Sequence, residues 1–115
     1  MILQIQSRKK KGVVILEPRG RLTIDSQRLL HDEVKRMVKN GAERILVDLS
    51  GVSYVDSHGL GQMVACHGTL HGSGGQLRFA GVNQKLADLL EMTGLPRVLQ
   101  VDRDQATALS KFGGA

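Results

Sequence analysis

The stretch Val52-Ser53-Tyr54-Val55-Asp56-Ser57-His58-Gly59-Leu60-Gly61 gathers an acid, a hydroxyl and an imidazole in three consecutive positions. These are the residue types of a hydrolase triad, but neighbours at a helix start point in different directions and cannot form the relay of nucleophile, base and orienting acid. No Gly-x-Ser-x-Gly elbow occurs elsewhere in the chain. The pattern instead suits a helix N-terminus. Asp56 or Ser57 serves as N-cap, and a hydroxyl there lies beside backbone N–H groups that the first helical turn leaves unpaired. A phosphate on that hydroxyl would be well placed electrostatically. Gly59 and Gly61 thin the same turn at a cost of about 1 kcal/mol each in helix propensity, which predicts that another backbone comes close.

Other candidate sites are weaker. His67 and His71 are four apart, a spacing that metals use on a helix, but two imidazoles without a nearby carboxylate are expected to be ordinary partly exposed or core-edge histidines. His31 has no evident companion. Cys66 follows Val64 and Ala65 and is expected to be a buried thiol acting as a small hydrophobe. No phosphate-binding Gly-x-x-x-x-Gly-Lys-Ser/Thr loop is present, and Gly72-Ser73-Gly74-Gly75 precedes a strand instead of opening a helix. The chain therefore has no machinery to phosphorylate itself, and covalent chemistry at Ser57 must come from a partner. No cofactor or metal is expected.

The elements that must position this segment follow from periodicity. Val13-Val14-Ile15-Leu16 and Ile45-Leu46-Val47-Asp48-Leu49 are continuous apolar runs of the kind buried on both faces of a sheet. Ile2 to Gln6 and Leu77 to Ala80 alternate, and Arg8-Lys9-Lys10-Lys11 with Gly12 reads as the hairpin turn between the first two strands. A short fifth strand is expected at Val98 to Val101. Helical spacing places Leu30, Val34, Met37 and Val38 on one face, then Leu60, Met63 and Val64, then Leu86, Leu89 and Leu90, and finally Ala106 and Leu109. Asn40-Gly41 and Gly94 are left-handed stops, Asn83 is an N-cap, and Asp102 with Gln105 has capping-box spacing. The order is β-β-α-β-α-β-α-β-α: an α/β domain with a four- to five-stranded mixed sheet and about four helices.

With 115 residues, 41% of them hydrophobic and 23% charged, the chain makes one domain spanning 1–115. One Tyr, two Phe and no Trp leave the core to aliphatic residues and argue against stacking-based binding of single-stranded nucleic acid. A single cysteine fits a reducing, cytoplasmic setting. The first residues lack a basic region followed by an apolar run, and no run approaches the roughly 18 residues of a membrane span, so neither export nor membrane insertion is expected. A formal charge of +5 without a DNA-reading motif points away from direct nucleic-acid contact, and the basic run reads as a solvated turn or as a patch that suits anionic lipid or an acidic protein surface.

The residues Asp56-Ser57-His58-Gly59-Leu60-Gly61, after Ile45-Leu46-Val47-Asp48-Leu49-Ser50-Gly51-Val52, resemble the signature of the STAS domain family, the anti-sigma factor antagonists. That signature is usually Asp-Ser-Ser/Thr-Gly-Leu-Gly after such a strand, and His58 departs from it. Glu17 to Leu22, Gly75 to Val82 and Leu89 to Leu95 are similar to further stretches of the family, so the resemblance spans nearly the whole chain. It implies the STAS fold and a phosphorylation-switched binding module, not an enzyme. Ser57 would be the phosphoacceptor, and Asp25, Asp56, His58, Gly59 and Leu60 would frame the partner-binding surface. The implied partners are an anti-sigma factor with serine kinase activity, a histidine-kinase-like ATPase, captured when Ser57 is unphosphorylated, and a serine phosphatase that resets phospho-Ser57. Other relatives are subunits of lipid or anion transport complexes, or scaffolds in stress-sensing assemblies.

Overall fold

The computed structural model describes residues 2–113. They form a six-stranded mixed sheet with helices on both faces. In chain order the elements are β1 (Leu3–Lys10), β2 (Val13–Leu22), a 3-10 turn (Ile24–Ser26), α1 (Leu29–Lys39), β3 (Arg44–Asp48), β4 (Val52–Val55), α2 (Ser57–Ser73), β5 (Gln76–Ala80), α3 (Gln84–Thr93), a second 3-10 turn (Leu95–Arg97), β6 (Val101–Asp102) and α4 (Gln105–Ser110). Strands pair in the order β1-β2-β3-β5-β6, with β1 antiparallel to β2 and the others parallel.

The expected mixed α/β architecture stands, and the sheet has one strand more than its four to five. β4 lies between the expected third strand and second helix, where the expected order has no strand. Its four residues, with only Val52 and Val55 buried, are too few to show a period. Their pairing is tertiary. β2 is ten residues long, enough to pair with β3 through Val14–Leu16 and with β4 through Gly20–Leu22. A register shift between Gly20 and Arg21 separates the two halves. Gly20 sits at φ +121, and a side chain there would meet the Ile2 carbonyl oxygen at 2.2 Å.

Alternate residues of the central strands face two cores. On one side Val14, Leu16, Ile45, Val47, Leu77 and Phe79 pack against Leu30 and Val34 of α1, Leu60, Met63, Cys66 and Leu70 of α2, and Leu86 and Leu90 of α3. On the other, Val13, Ile15, Leu46 and Ala80 pack against Ala108 of α4, with Leu109 and Phe112 beside them. β2 and β3 are thus buried on both faces, which is why their apolar residues run on without alternation.

Three local expectations need correction. Arg8, Lys9 and Lys10 belong to β1, and only Lys11 and Gly12 make the turn, both at positive φ. The basic residues therefore line an edge strand, where charge discourages pairing with another sheet. The fifth strand is not Val98 to Val101, because Leu95–Arg97 winds into a 3-10 turn whose carbonyl at Leu95 takes the N–H groups of Val98 and Leu99. The cap of α4 is Asp104, accepting from the Thr107 N–H at 2.7 Å. Asp102 is unavailable for that role because its buried carboxylate accepts from Arg78 Nε at 2.9 Å and Lys111 Nζ at 2.7 Å. The stops and cap expected at Gly41, Gly94 and Asn83 are present, with Gly41 at φ +98, Gly94 at φ +74 and Asn83 Oδ1 accepting from the Leu86 N–H at 2.8 Å.

Candidate functional site

Parallel strands β2 and β4 end together, so the loop leaving β2 and the start of α2 meet at the carboxyl end of the sheet, where α/β proteins place their sites. Asp56 joins them. Its Oδ1 accepts from the Gly59 N–H at 2.8 Å and caps α2, while its Oδ2 accepts from the Ile24 N–H at 3.0 Å, across to the β2–α1 loop. The bonds from Gly59 and then Ile24 hold the Asp56 carboxyl below the usual carboxylate range, so it is ionised at neutral pH. Asp56 is thus a staple with both oxygens engaged, and it frames Ser57 by fixing two backbones.

Gly59 explains the closeness of those backbones. A methyl at this position would lie 2.0 Å from the Leu22 carbonyl oxygen and 2.9 Å from Val55 Cγ1. The expected close approach therefore holds at Gly59. It fails at Gly61, where a methyl would meet no neighbour within 4 Å because this side of the helix faces open space.

Ser57 is the first residue of α2 and is exposed, and among the described residues its hydroxyl makes no hydrogen bond. Asp25 is also exposed, and its carboxylate likewise has no partner among the described residues. His58 is half-buried, with Nε2 3.0 Å from the Gln27 carbonyl oxygen. Leu60 turns inward and is buried in the main core, as is the backbone of Gly59. Of the six residues singled out from sequence, Asp25, Ser57 and His58 present side chains at the surface, and Asp56, Gly59 and Leu60 hold that surface in place.

Sequence reasoning took Asp25 alone from the β2–α1 loop and missed the apolar residues around it. Ile24 and Leu29 are large apolar side chains 66% and 49% exposed, and they flank Asp25. The 3-10 turn carrying Ile24 and Asp25 is fixed by a reciprocal cap: Thr23 Oγ1 accepts from the Asp25 N–H and Ser26 Oγ accepts from the Thr23 N–H. Gln62, buried on α2, donates to Ser26 Oγ at 3.3 Å. The signal available in the sequence was Thr23-x-x-Ser26 just before a helix, a weak form of the capping-box pattern.

A concave region adjoins β4. Val52, Tyr54, Val55, Leu86, Leu89 and Met92 line a groove of about 390 Å³ between β4 and α3, with the Lys85 ammonium 5.7 Å from the centre of the Tyr54 ring. Val55 connects this groove directly to Asp56 and Ser57.

The remaining chemistry-bearing residues lie elsewhere. His67 and His71 stack with ring centroids 5.9 Å apart, and no group of three or more metal-ligating side chains occurs among the described residues. His31 Nε2 is 2.9 Å from Thr69 Oγ1, and burial first, then the nearby Lys35 and Arg28 charges, lower its pKa. Cys66 is fully buried, and burial pushes its thiol up to about 12. No described helix is long and apolar enough to cross a membrane.

A family model described as "Mlab, STAS domain" matches residues 5–101. The chain is 29% identical over 115 residues to the anti-sigma F factor antagonist of Paenibacillus polymyxa, covering 97% of each. Its backbone superposes with a TM-score of 0.87 on a Thermotoga maritima protein described as a candidate anti-sigma factor antagonist, at 27% identity, covering 94% of this chain and 93% of the other. The Bacillus cell fate determinant SpoIIAA in its phosphorylated form shares the fold, with a TM-score of 0.70, 16% identity and coverage of 94% and 98%.

Proposed function

The chain belongs to the STAS domain family, and from that premise we propose that it is an anti-sigma factor antagonist whose capture of its partner is switched by phosphorylation of Ser57. The observation that carries the reading is the exposed, unengaged Ser57 hydroxyl at the first turn of α2, next to Asp56, whose other bond ties this turn to the loop bearing exposed Ile24 and Asp25. An exposed surface with a free hydroxyl suits a binding module better than a catalytic centre, since among the described residues no base is hydrogen-bonded to that oxygen.

In this reading unphosphorylated Ser57 lies inside the interface with an anti-sigma factor that is also a serine kinase of the histidine-kinase-like ATPase class. Capture of that factor releases a sigma factor. Phosphorylation adds roughly −1.5 to −2 charges to a surface that already carries Asp25 and Asp56, and the partner is released until a serine phosphatase removes the phosphate. Asp25, Ser57 and His58 make direct contact, and Asp56, Gly59 and Leu60 position them. The protein acts in the cytoplasm without membrane insertion or direct nucleic-acid contact.

The test is a pull-down from the native cells with wild-type, Ser57→Ala and Ser57→Asp baits, with the captured proteins identified by mass spectrometry and Ser57 phosphorylation read by intact mass. Wild type and the Ala variant should recover a serine-kinase-type ATPase, and the Asp variant should lose it. Equal recovery of transporter ATPase or assembly components by all three baits would overturn the sigma-factor reading in favour of a transport-complex subunit or a scaffold.

A further inference from the structure

The β2–α1 loop, tied to the start of α2 through the Ile24 N–H and the Gln27 carbonyl, turns on a residue ill-suited to the turn. Gln27 has φ +51 and ψ −120, and Arg28 has φ −113 and ψ +20. These values lie near those of a type II′ turn, whose first central position favours glycine because it needs positive φ. A glutamine keeps that conformation only where its surroundings over-determine it.

α2 supplies three tethers to this loop. Asp56 takes the Ile24 N–H, Gln62 donates to Ser26 Oγ, and His58 Nε2 lies 3.0 Å from the Gln27 carbonyl oxygen. His58 and Gln62 are four residues apart and so share a face of the helix. Among these three, only the His58 contact engages the residue at positive φ. A carbonyl oxygen can only accept, so Nε2 must carry the proton, in the neutral Nε2–H tautomer or in the imidazolium.

We infer that His58 is a positioning residue that latches the docking loop: its Nε2–H bond to the Gln27 carbonyl holds the strained turn, and with it Ile24, Asp25 and Leu29, in fixed register with Ser57. An imidazole at position 58 is long enough to reach this carbonyl from the first turn of α2. The consequence for partner capture rests on the docking role proposed above. The latch itself does not, and it can be tested on the isolated full-length chain.

The experiment is amide hydrogen exchange on wild type, His58→Ala, Gln27→Gly and the double variant, with long-range proton–nitrogen spectra of the wild-type imidazoles at pH 8. His58→Ala should speed exchange of the Gln27 amide and its loop neighbours by roughly two- to tenfold, the range expected for one net hydrogen bond, while β3 and β5 amides stay as in wild type. In the Gln27→Gly background the same change should produce a smaller acceleration, because glycine holds the turn without a latch. The His58 proton should sit on Nε2. Unchanged loop exchange in His58→Ala, equal acceleration in both backgrounds, or a neutral Nδ1–H tautomer would each overturn the inference. A wild-type protein that captures no anti-sigma factor strikes the docking role alone, since none of these readouts needs a partner.

Discussion

Replacing Gly59 and Gly61 separately by alanine asks whether the start of α2 is held against β2 by backbone contact. On helix propensity the two changes are alike, each favouring the helix by up to about 1 kcal/mol. The surroundings separate them. A methyl at 61 meets no neighbour within 4 Å, so Gly61→Ala should keep that gain. A methyl at 59 lies 2.0 Å from the Leu22 carbonyl oxygen and 2.9 Å from the Leu22 carbonyl carbon, and that oxygen also accepts from the Asp56 N–H at 3.3 Å. Neither backbone can swing aside as a flexible side chain would, so the overpacking cost falls at the upper end of the usual range, about 3 kcal/mol. Set against the helix gain, Gly59→Ala should destabilise by about 2 kcal/mol. At about 3–6 °C per kcal/mol for a chain of this length, Tm should fall by about 6–12 °C for Gly59→Ala and rise by about 3–6 °C for Gly61→Ala. Urea and thermal unfolding followed by far-UV circular dichroism measure both. Equal stability of the two variants would refute the claim that backbone approach, and not helix propensity, fixes this corner.

Three further outcomes follow from the electrostatics and burial. The Asp56 carboxyl titrates below its usual value, so its contribution to stability is present above about pH 4 and is lost as pH falls through the lower folded value; Asp56→Asn should flatten the acid limb of the urea midpoint, and an unchanged slope would contradict the staple. Cys66, with its thiol pushed up to about 12, should react with iodoacetamide at pH 8 only as fast as the native structure opens, and rapid stoichiometric labelling without denaturant would be incompatible with its burial. Burial raises the Asp102 pKa but the bonds from Arg78 and Lys111 outweigh it, so Arg78→Met should cost about 1–3 kcal/mol in denaturant unfolding, whereas Arg8→Ala at the exposed pair with Glu17 should change stability by less than about 0.5 kcal/mol.

The parts of the fold that were legible in the sequence are those whose signal is local. Val13 to Leu16 and Ile45 to Leu49 announce strands buried on both faces because every residue is apolar, and Gly94 and Asn83 mark helix ends by their own backbone preferences. β4 was hidden because four residues with a polar pair in the middle acquire strand geometry only by pairing with the far half of β2. The Asp104 cap was hidden for a related reason, since Asp102 has equally good local credentials until Arg78 and Lys111, one of them 24 residues away, claim its carboxylate. At the site, Ser57 and its cap were legible from the Asp-Ser-His-Gly order. Of the β2–α1 loop only Asp25 was named, through the family resemblance; Ile24 and Leu29 were not, because what ties the loop to the site is the Asp56 to Ile24 and His58 to Gln27 bonds, 32 and 31 residues apart in sequence.

The same geometry decides how a phosphate on Ser57 would act. Within the domain its effects are small and opposed: the N-terminus of α2 favours negative charge by about 0.3–1 kcal/mol, while repulsion from the Asp25 and Asp56 carboxylates at this solvated surface is of similar size. Asp56 cannot turn away to relieve that repulsion without giving up the Gly59 and Ile24 N–H groups, so the corner keeps its shape. Across an interface the balance differs. A dianion closed against a partner loses its water, and desolvating an unpaired charge costs several kcal/mol, enough to weaken a complex by a thousandfold. On the proposed reading, phosphorylation of Ser57 would therefore discriminate between the free and the bound protein by an order of magnitude more than between the folded and the unfolded one. A switch of this kind needs no second conformation of the domain, which is why a tightly stapled corner can carry it.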